Sequence, residues 1–130
     1  MIYKLPDNGN CSLGILGLGY VGLPLAVEFA NKKNCARTGN KLNRKVIGFD
    51  INKERVIDLS NGIDLTNEIS SETLGNIGNL EFTNDASRLA FVDVFIVTVP
   101  TPIDSSKRPD TSFLEMASKI VAEAIKIRSC

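Results

Sequence analysis

Short apolar runs alternate along this chain with stretches whose apolar positions recur at near-helical spacing. Residues 12–16, Ser-Leu-Gly-Ile-Leu, are too short an apolar run for a helix, and Gly17-Leu-Gly-Tyr-Val-Gly22 follows at once. Leu23-Pro-Leu-Ala-Val-Glu-Phe-Ala30 then returns apolar side chains to one side of a helix. The pattern predicts strand, glycine turn and helix in that order. Pro24 fits because it falls in the first helical turn, where an amide donor has no partner in any case. Residues 31–44 are polar, with Gly39 and several Asn and Lys, and read as a loop.

Residues 45–50, Lys-Val-Ile-Gly-Phe-Asp, predict a second strand. Asn52 can cap a helix carrying Val56, Ile57 and Leu59, which Asn61-Gly62 closes. Residues 63–79 are rich in Asn, Ser, Thr and Gly, with at most a short helix over 71–74. Leu80-Glu-Phe-Thr83 predicts a third strand, and Asp85 a cap for a brief helix. The nearly unbroken apolar run over 92–99 predicts a fourth strand covered on both faces, as in parallel sheets. Pro100, Pro102 and Pro109 make residues 100–110 a loop. Residues 112–127 predict a helix with Leu114, Ala117, Ile120, Val121, Ala124 and Ile125 on one side. Strands alternating with helices imply an α/β class, a parallel sheet with right-handed crossovers.

Composition narrows the functions open to such a fold. The 130 residues suit about one domain, and 43% hydrophobic with 23% charged residues argues against disorder. Fifteen basic residues balance fifteen acidic ones, so the field that would draw nucleic acid or an anionic membrane is missing. No window approaches ~18 consecutive apolar residues, and residues 1–10 lack the apolar centre of a signal peptide. These features read as a cytosolic, cytoplasmic protein. Histidine is absent, which removes the commonest general base and metal ligand. Cys11, Cys35 and Cys130 fit neither a disulfide framework nor a metal-binding pattern and read as isolated reduced thiols. No catalytic or metal-ligating residue is assigned within the chain.

The Gly-x-Gly-x-x-Gly turn is a weak signal alone, but here a strand precedes it, a helix follows it, and an acid ends the next strand. Gly17 permits a tight turn, Gly19 lets main chain touch a pyrophosphate, and Gly22 lets helix and strand pack closely. The amides of Tyr20 and Val21 would point at the anion, aided by the helix dipole. Glycines also occur in plain turns. Asp50 can accept hydrogen bonds from the adenosine ribose and would repel a 2′-phosphate, which favours NAD over NADP. Its alternative, capping the following helix, can be met by Asn52. Gly22 and Asp50 are 28 positions apart, longer than the usual ~20, and the excess reads as an insertion within residues 34–43. Arg55 either approaches the ribose or pyrophosphate or is a solvated surface cation. Val99, Pro100 and Thr101 end the fourth strand, where ligands of doubly wound sheets bind, with Thr101 toward the nicotinamide half. A rigid proline turn without a ligand role is the competing view.

Gly17-Leu-Gly-Tyr-Val-Gly-Leu-Pro-Leu-Ala26, Val46-Ile-Gly-Phe-Asp-Ile-Asn52 and Val97-Thr-Val-Pro-Thr-Pro-Ile-Asp104 together resemble the N-terminal domain of the UDP-glucose/GDP-mannose dehydrogenase family. The resemblance runs from about residue 13 to 127, and the Leu-Pro-Leu-Ala and Pro-Thr-Pro-Ile-Asp variants are most similar to the branch acting on UDP-N-acetylhexosamines, which makes uronic acid precursors of bacterial surface polysaccharides. It implies a Rossmann-type doubly wound parallel sheet, truncated to about four strands in the order 3-2-1-4. It also implies an incomplete dinucleotide-binding domain over residues 1–130, without the central and C-terminal substrate domains. Such enzymes oxidise a sugar C6 alcohol to a carboxylate in two hydride transfers, reduce two NAD, and trap an aldehyde-level intermediate on a cysteine as a thiohemiacetal. Carried over motif by motif, Gly17, Gly19, Tyr20, Val21 and Gly22 would hold the pyrophosphate. Asp50 and Arg55 would bind the adenosine ribose, with Val99, Pro100 and Thr101 on the nicotinamide side. The family's catalytic cysteine, lysine, asparagine and aspartate fall beyond residue 130, and Cys130 is not the nucleophile because it follows the helix before the next strand.

The expected partners are a nucleotide-sugar substrate and further copies of the chain in a homo-oligomer, with no nucleic acid and no membrane. The fourth strand is expected to leave an unpaired edge that promotes self-association or is covered by a shift of the last helix. Other functions stay open: a hydroxy-acid dehydrogenase of related build, against which Val-Pro-Thr-Pro-Ile-Asp argues, or a non-catalytic NAD-binding or interaction module.

Overall fold

Four short strands carry the fold in a computed structural model that describes residues 5–128, so Cys130 and residues 1–4 lie outside the described residues. Strands β1 (Leu13–Leu16), β2 (Val46–Phe49), β3 (Leu80–Thr83) and β4 (Val94–Val97) are all parallel, in the expected order β3-β2-β1-β4. Helix α1 (Gly22–Asn31) links β1 to β2. Helices α2 (Lys53–Ser60) and α3 (Ser71–Gly75) lie between β2 and β3. A 3-10 helix over Ala86–Phe91 precedes β4, and α4 (Ser112–Arg128) follows it. The caps are those the sequence offers: Asn52 accepts from the Arg55 amide at 3.2 Å and Asp85 from the Ser87 amide at 2.9 Å.

Side chains alternate across each strand, so the two faces of the sheet build separate cores. Leu13, Ile15 and Val46 pack against Ala26 and Ala30 of α1. On the opposite face Leu16, Ile47 and Phe49 meet Leu89, Val92, Ala117 and Ala124, contributed by the 3-10 helix, the residue that closes it, and α4. A third cluster of Leu18, Leu23, Val27, Leu59 and Leu74 joins α1, α2 and α3. Helices therefore cover both faces, and the sheet is doubly wound.

Two expectations are corrected. The run over 92–99 yields a strand of only four residues whose coverage is incomplete: Phe95 packs against one core and Ile96 against the other, but each is only half-buried. Val94 and Val97 are 37% and 38% exposed, because β4 is an edge with β1 as its strand neighbour. Val92 instead leaves the strand and is fully buried in the core on the α4 side. On α4 the packed stripe runs from Ala117 through Ile120 and Val121 to Ala124. Leu114 and Ile125, expected on the same side, flank that stripe and are 42% and 49% exposed.

The polar segment between α1 and β2 closes on itself. Asn34 bridges Lys41, Leu42 is buried, and Arg44 donates to the Asn8 carbonyl and side-chain oxygen at 2.9 and 2.6 Å.

Candidate dinucleotide site

Strand register assembles the site. Leu16 lies opposite both Phe49 and Val97, so Gly17, Asp50 and Thr98 come next in one row at the carboxyl edge of the sheet. The Gly17 amide donates to the Phe49 carbonyl and the Thr98 amide to the Leu16 carbonyl, both at 2.8 Å. Open α/β sheets bind their ligands outside this edge.

The glycines divide their work as sterics requires. Gly17 has φ +99°, a left-handed conformation that side chains disfavour, and an added Cβ would come within 2.9 Å of the Thr98 carbonyl oxygen. A Cβ at Gly22 would overlap the Gly17 carbonyl oxygen and the Thr98 hydroxyl. Gly19 is different: an added Cβ meets nothing within 4 Å, so its main chain borders open space. Val21, ahead of α1, makes no side-chain cap, and the Tyr20 and Val21 amides meet no acceptor among the described residues. Main-chain donors at a helix start, beside open space, fit an anionic group such as a pyrophosphate. Thr98 braces the turn, its hydroxyl donating to the Gly17 or Leu16 carbonyl, 2.9 and 3.1 Å away.

Asp50 and Arg55 grip one residue of that turn from opposite sides. Asp50 Oδ2 accepts from the Leu18 amide at 2.9 Å, and Arg55 Nε donates to the Leu18 carbonyl at 2.9 Å. Asp50 Oδ1 also accepts from the Asn52 amide at 2.9 Å. Each carboxylate oxygen keeps a further lone pair, so both can still accept from a ligand hydroxyl. Arg55 is not a solvated surface cation: its side chain is 11% exposed and lies 2.8 Å from Asp64 Oδ1.

Asp64 is the hub of the loop over 63–69. Its fully buried carboxylate accepts from the Thr66 amide and hydroxyl, the Glu68 amide and the Ile69 amide at 2.7–3.0 Å. Burial alone would raise its pKa, but hydrogen bonds from Thr66, Ile69 and Arg55 outweigh that effect and hold the carboxyl below the usual range.

A cavity of about 590 Å³ opens over the row of strand ends. Of the ten residues singled out in the sequence, Gly17, Gly19, Tyr20, Val21, Asp50, Arg55, Val99, Pro100 and Thr101 line it, and Gly22 sits behind the turn. Phe49, Ile51, Phe113, Met116 and Ile120 supply an apolar wall. No residue of the segment over 34–43 reaches it. Among the described residues no cluster of His, Cys, Asp or Glu could hold a metal.

Sequence reasoning missed Thr98 and Asp64. Thr98 stood inside the Val97-Thr-Val-Pro motif, but its partners are carbonyls 81 and 82 positions away. Asp64 carried a faint signal, an acid two residues before a threonine in a polar segment, as in Asx turns.

Known proteins match this arrangement. The sequence model of the UDP-glucose/GDP-mannose dehydrogenase family, NAD binding domain, matches residues 11–130. The UDP-N-acetyl-D-glucosamine 6-dehydrogenase of Pseudomonas aeruginosa is 45% identical over 117 residues, covering 90% of this chain and 25% of that protein. The protein of the same name from Salmonella typhi is 41% identical over 113 residues, covering 87% and 24%. The structure of a UDP-D-ManNAc dehydrogenase from Pyrococcus horikoshii superimposes with a TM-score of 0.74 at 32% identity, over 87% of this chain and 25% of that one. The chain thus spans about a quarter of the length of the curated relatives it matches.

Proposed function

This chain belongs to the UDP-glucose/GDP-mannose dehydrogenase family, as its NAD-binding domain, and on that footing we propose that it is the cofactor-binding part of an NAD-dependent UDP-sugar 6-dehydrogenase. The substrate is a UDP-N-acetylhexosamine, whose C6 alcohol is oxidised to the carboxylate with reduction of two NAD. The two relatives named UDP-N-acetyl-D-glucosamine 6-dehydrogenase support that choice of sugar. Residues 1–130 are read as an N-terminal dinucleotide-binding domain, with the catalytic groups and substrate pocket supplied by sequence of the kind that fills the rest of the relatives. No helix among the described residues is long and apolar enough to cross a membrane. We place the enzyme in the cytoplasm, as a homo-oligomer.

The observation that carries the reading is the Asp50 carboxylate tied to Leu18 at the mouth of the same cavity that Gly19 leaves open. Gly17, Gly19, Tyr20, Val21 and Gly22 form the pyrophosphate cradle. Asp50 and Arg55 receive the adenosine ribose, and Val99, Pro100 and Thr101 flank the nicotinamide side. NAD, when bound, supplies the hydride acceptor. This chain's residues hold and orient it, and the apolar wall of Phe113, Met116 and Ile120 keeps water from one side of the cavity.

Calorimetric titration with NAD and NADP, on the wild type and Asp50→Ala, tests the proposal. The wild type should prefer NAD, and Asp50→Ala should bind NAD about 10- to 100-fold more weakly through loss of charge-assisted hydrogen bonds. A wild type that gives no binding heat with NAD, or an Asp50→Ala variant of unchanged affinity, refutes it.

A further inference from the structure

Arg55 poses a question of specificity. An arginine near the acid that ends the second strand is the arrangement that accommodates a 2′-phosphate, whereas the acid alone selects free ribose hydroxyls. Here both are present. Asp50 and Arg55 hold the two ends of Leu18, and both line the cavity. The guanidinium, however, is already paired. One of its terminal nitrogens lies 2.8 Å from Asp64, whose side chain has no exposed surface. Thr66, Glu68 and Ile69 hold that carboxylate in place through four further hydrogen bonds. Lys53 and Glu54, both exposed in the first turn of α2, are of opposite sign and offset one another.

We propose that Asp64 is a specificity-determining residue: by neutralising and orienting Arg55 it leaves the Asp50 charge unopposed at the adenosine end, so that a 2′-hydroxyl is accepted and a 2′-phosphate rejected. The inference rests on the cavity being the dinucleotide site. Asp64 does not line the cavity and acts through Arg55, which makes it a positioning residue. With Asp64 neutral, Asp50 and Arg55 cancel, and the guanidinium regains the donors that would meet a phosphate.

The test is the ratio of the NADP to the NAD dissociation constant, measured by calorimetry on the purified chain. In Asp64→Asn, and in Asp64→Ser as an independent neutral replacement should the first fold poorly, the ratio should fall by about tenfold, the low end for one charge-assisted hydrogen bond. Asp64→Glu, which keeps the charge, should hold the wild-type ratio even if both affinities drop. The double variant Arg55→Gln/Asp64→Asn should return the ratio to the wild-type value, because the freed cation is gone. A purely structural role for Asp64 would weaken both dinucleotides equally, and an unchanged ratio in the neutral variants overturns the inference while leaving NAD binding intact. A wild type that binds neither dinucleotide removes the reading of the cavity, and this inference with it.

Discussion

Gly19→Ala and Gly22→Ala should separate binding from folding, although the two glycines are three residues apart in one turn. At Gly19 the new methyl meets no heavy atom within 4 Å and φ is not positive, so the folded chain accommodates it. Replacing glycine where the backbone already suits alanine changes stability by about 0.4–1 kcal/mol, in the stabilising direction. The methyl instead occupies the space a pyrophosphate would enter. Loss of one main-chain hydrogen bond to a charged group, about 1.5–3 kcal/mol, corresponds to roughly 10- to 150-fold weaker NAD binding. At Gly22 the methyl overlaps the Gly17 carbonyl oxygen and reaches the Thr98 hydroxyl, both fixed in the core of the turn. Overpacking of this kind costs about 1–3 kcal/mol or more, roughly 4–12 °C in melting temperature for a chain of this size. Thermal denaturation monitored by circular dichroism, paired with calorimetric NAD titration, reads both effects. A Gly19→Ala variant that binds NAD like the wild type, or a Gly22→Ala variant that melts with it, would refute this division of labour.

Three further outcomes are expected. Asp64 ionises in the folded chain below its unfolded value of about 3.9, so its contribution to stability is complete above that pH and lost as pH falls through the folded value. Asp64→Asn should be less stable by about 1–3 kcal/mol at pH 7, and its urea midpoint should begin to approach that of the wild type only as pH falls below about 4. Hydrogen bonds from the Thr38 side chain and amide, then the Arg37 amide, lower the Cys35 thiol to about 7. Its alkylation by iodoacetamide, resolved by mass spectrometry, should be half-maximal near that pH, should move upward in Thr38→Val, and should leave buried Cys11 nearly unmodified. Finally, the exposed edge of β4, with Val94 and Val97 more than a third accessible, should pair with other chains. Light scattering should show a mass that rises with concentration, and a monomer at every concentration would count against that edge as a pairing surface.

Local chemistry made most of the framework legible in advance. Strand positions followed from apolar runs punctuated by glycine turns, the strand order from the family resemblance, and Asn52 and Asp85 cap the elements their positions suggested. The glycine turn and Asp50 were legible because each acts through main chain or through the residue type at a strand end. What escaped were properties of neighbourhood. The apolar run ending in β4 suggested double coverage, yet its burial depends on which strand lies beside it, a matter of topology rather than composition. Leu114 and Ile125 share the helical periodicity of Ala117 and Ala124, but among the described residues the stripe of α4 packed into the core runs from Ala117 to Ala124. Arg55 could be read as ligand or solvated cation until Asp64, nine positions on, was found folded against it.

The flush alignment of Leu16, Phe49 and Val97 has a consequence for how the protein matures. Side chains change faces with each residue, so a slip of one position in either pairing would turn Leu16 away from its core and carry Asp50 or Thr98 off the glycine turn. A misaligned intermediate would thus lack both its apolar core and its ligand mouth. One register sets the packing of the core and the shape of the ligand mouth together.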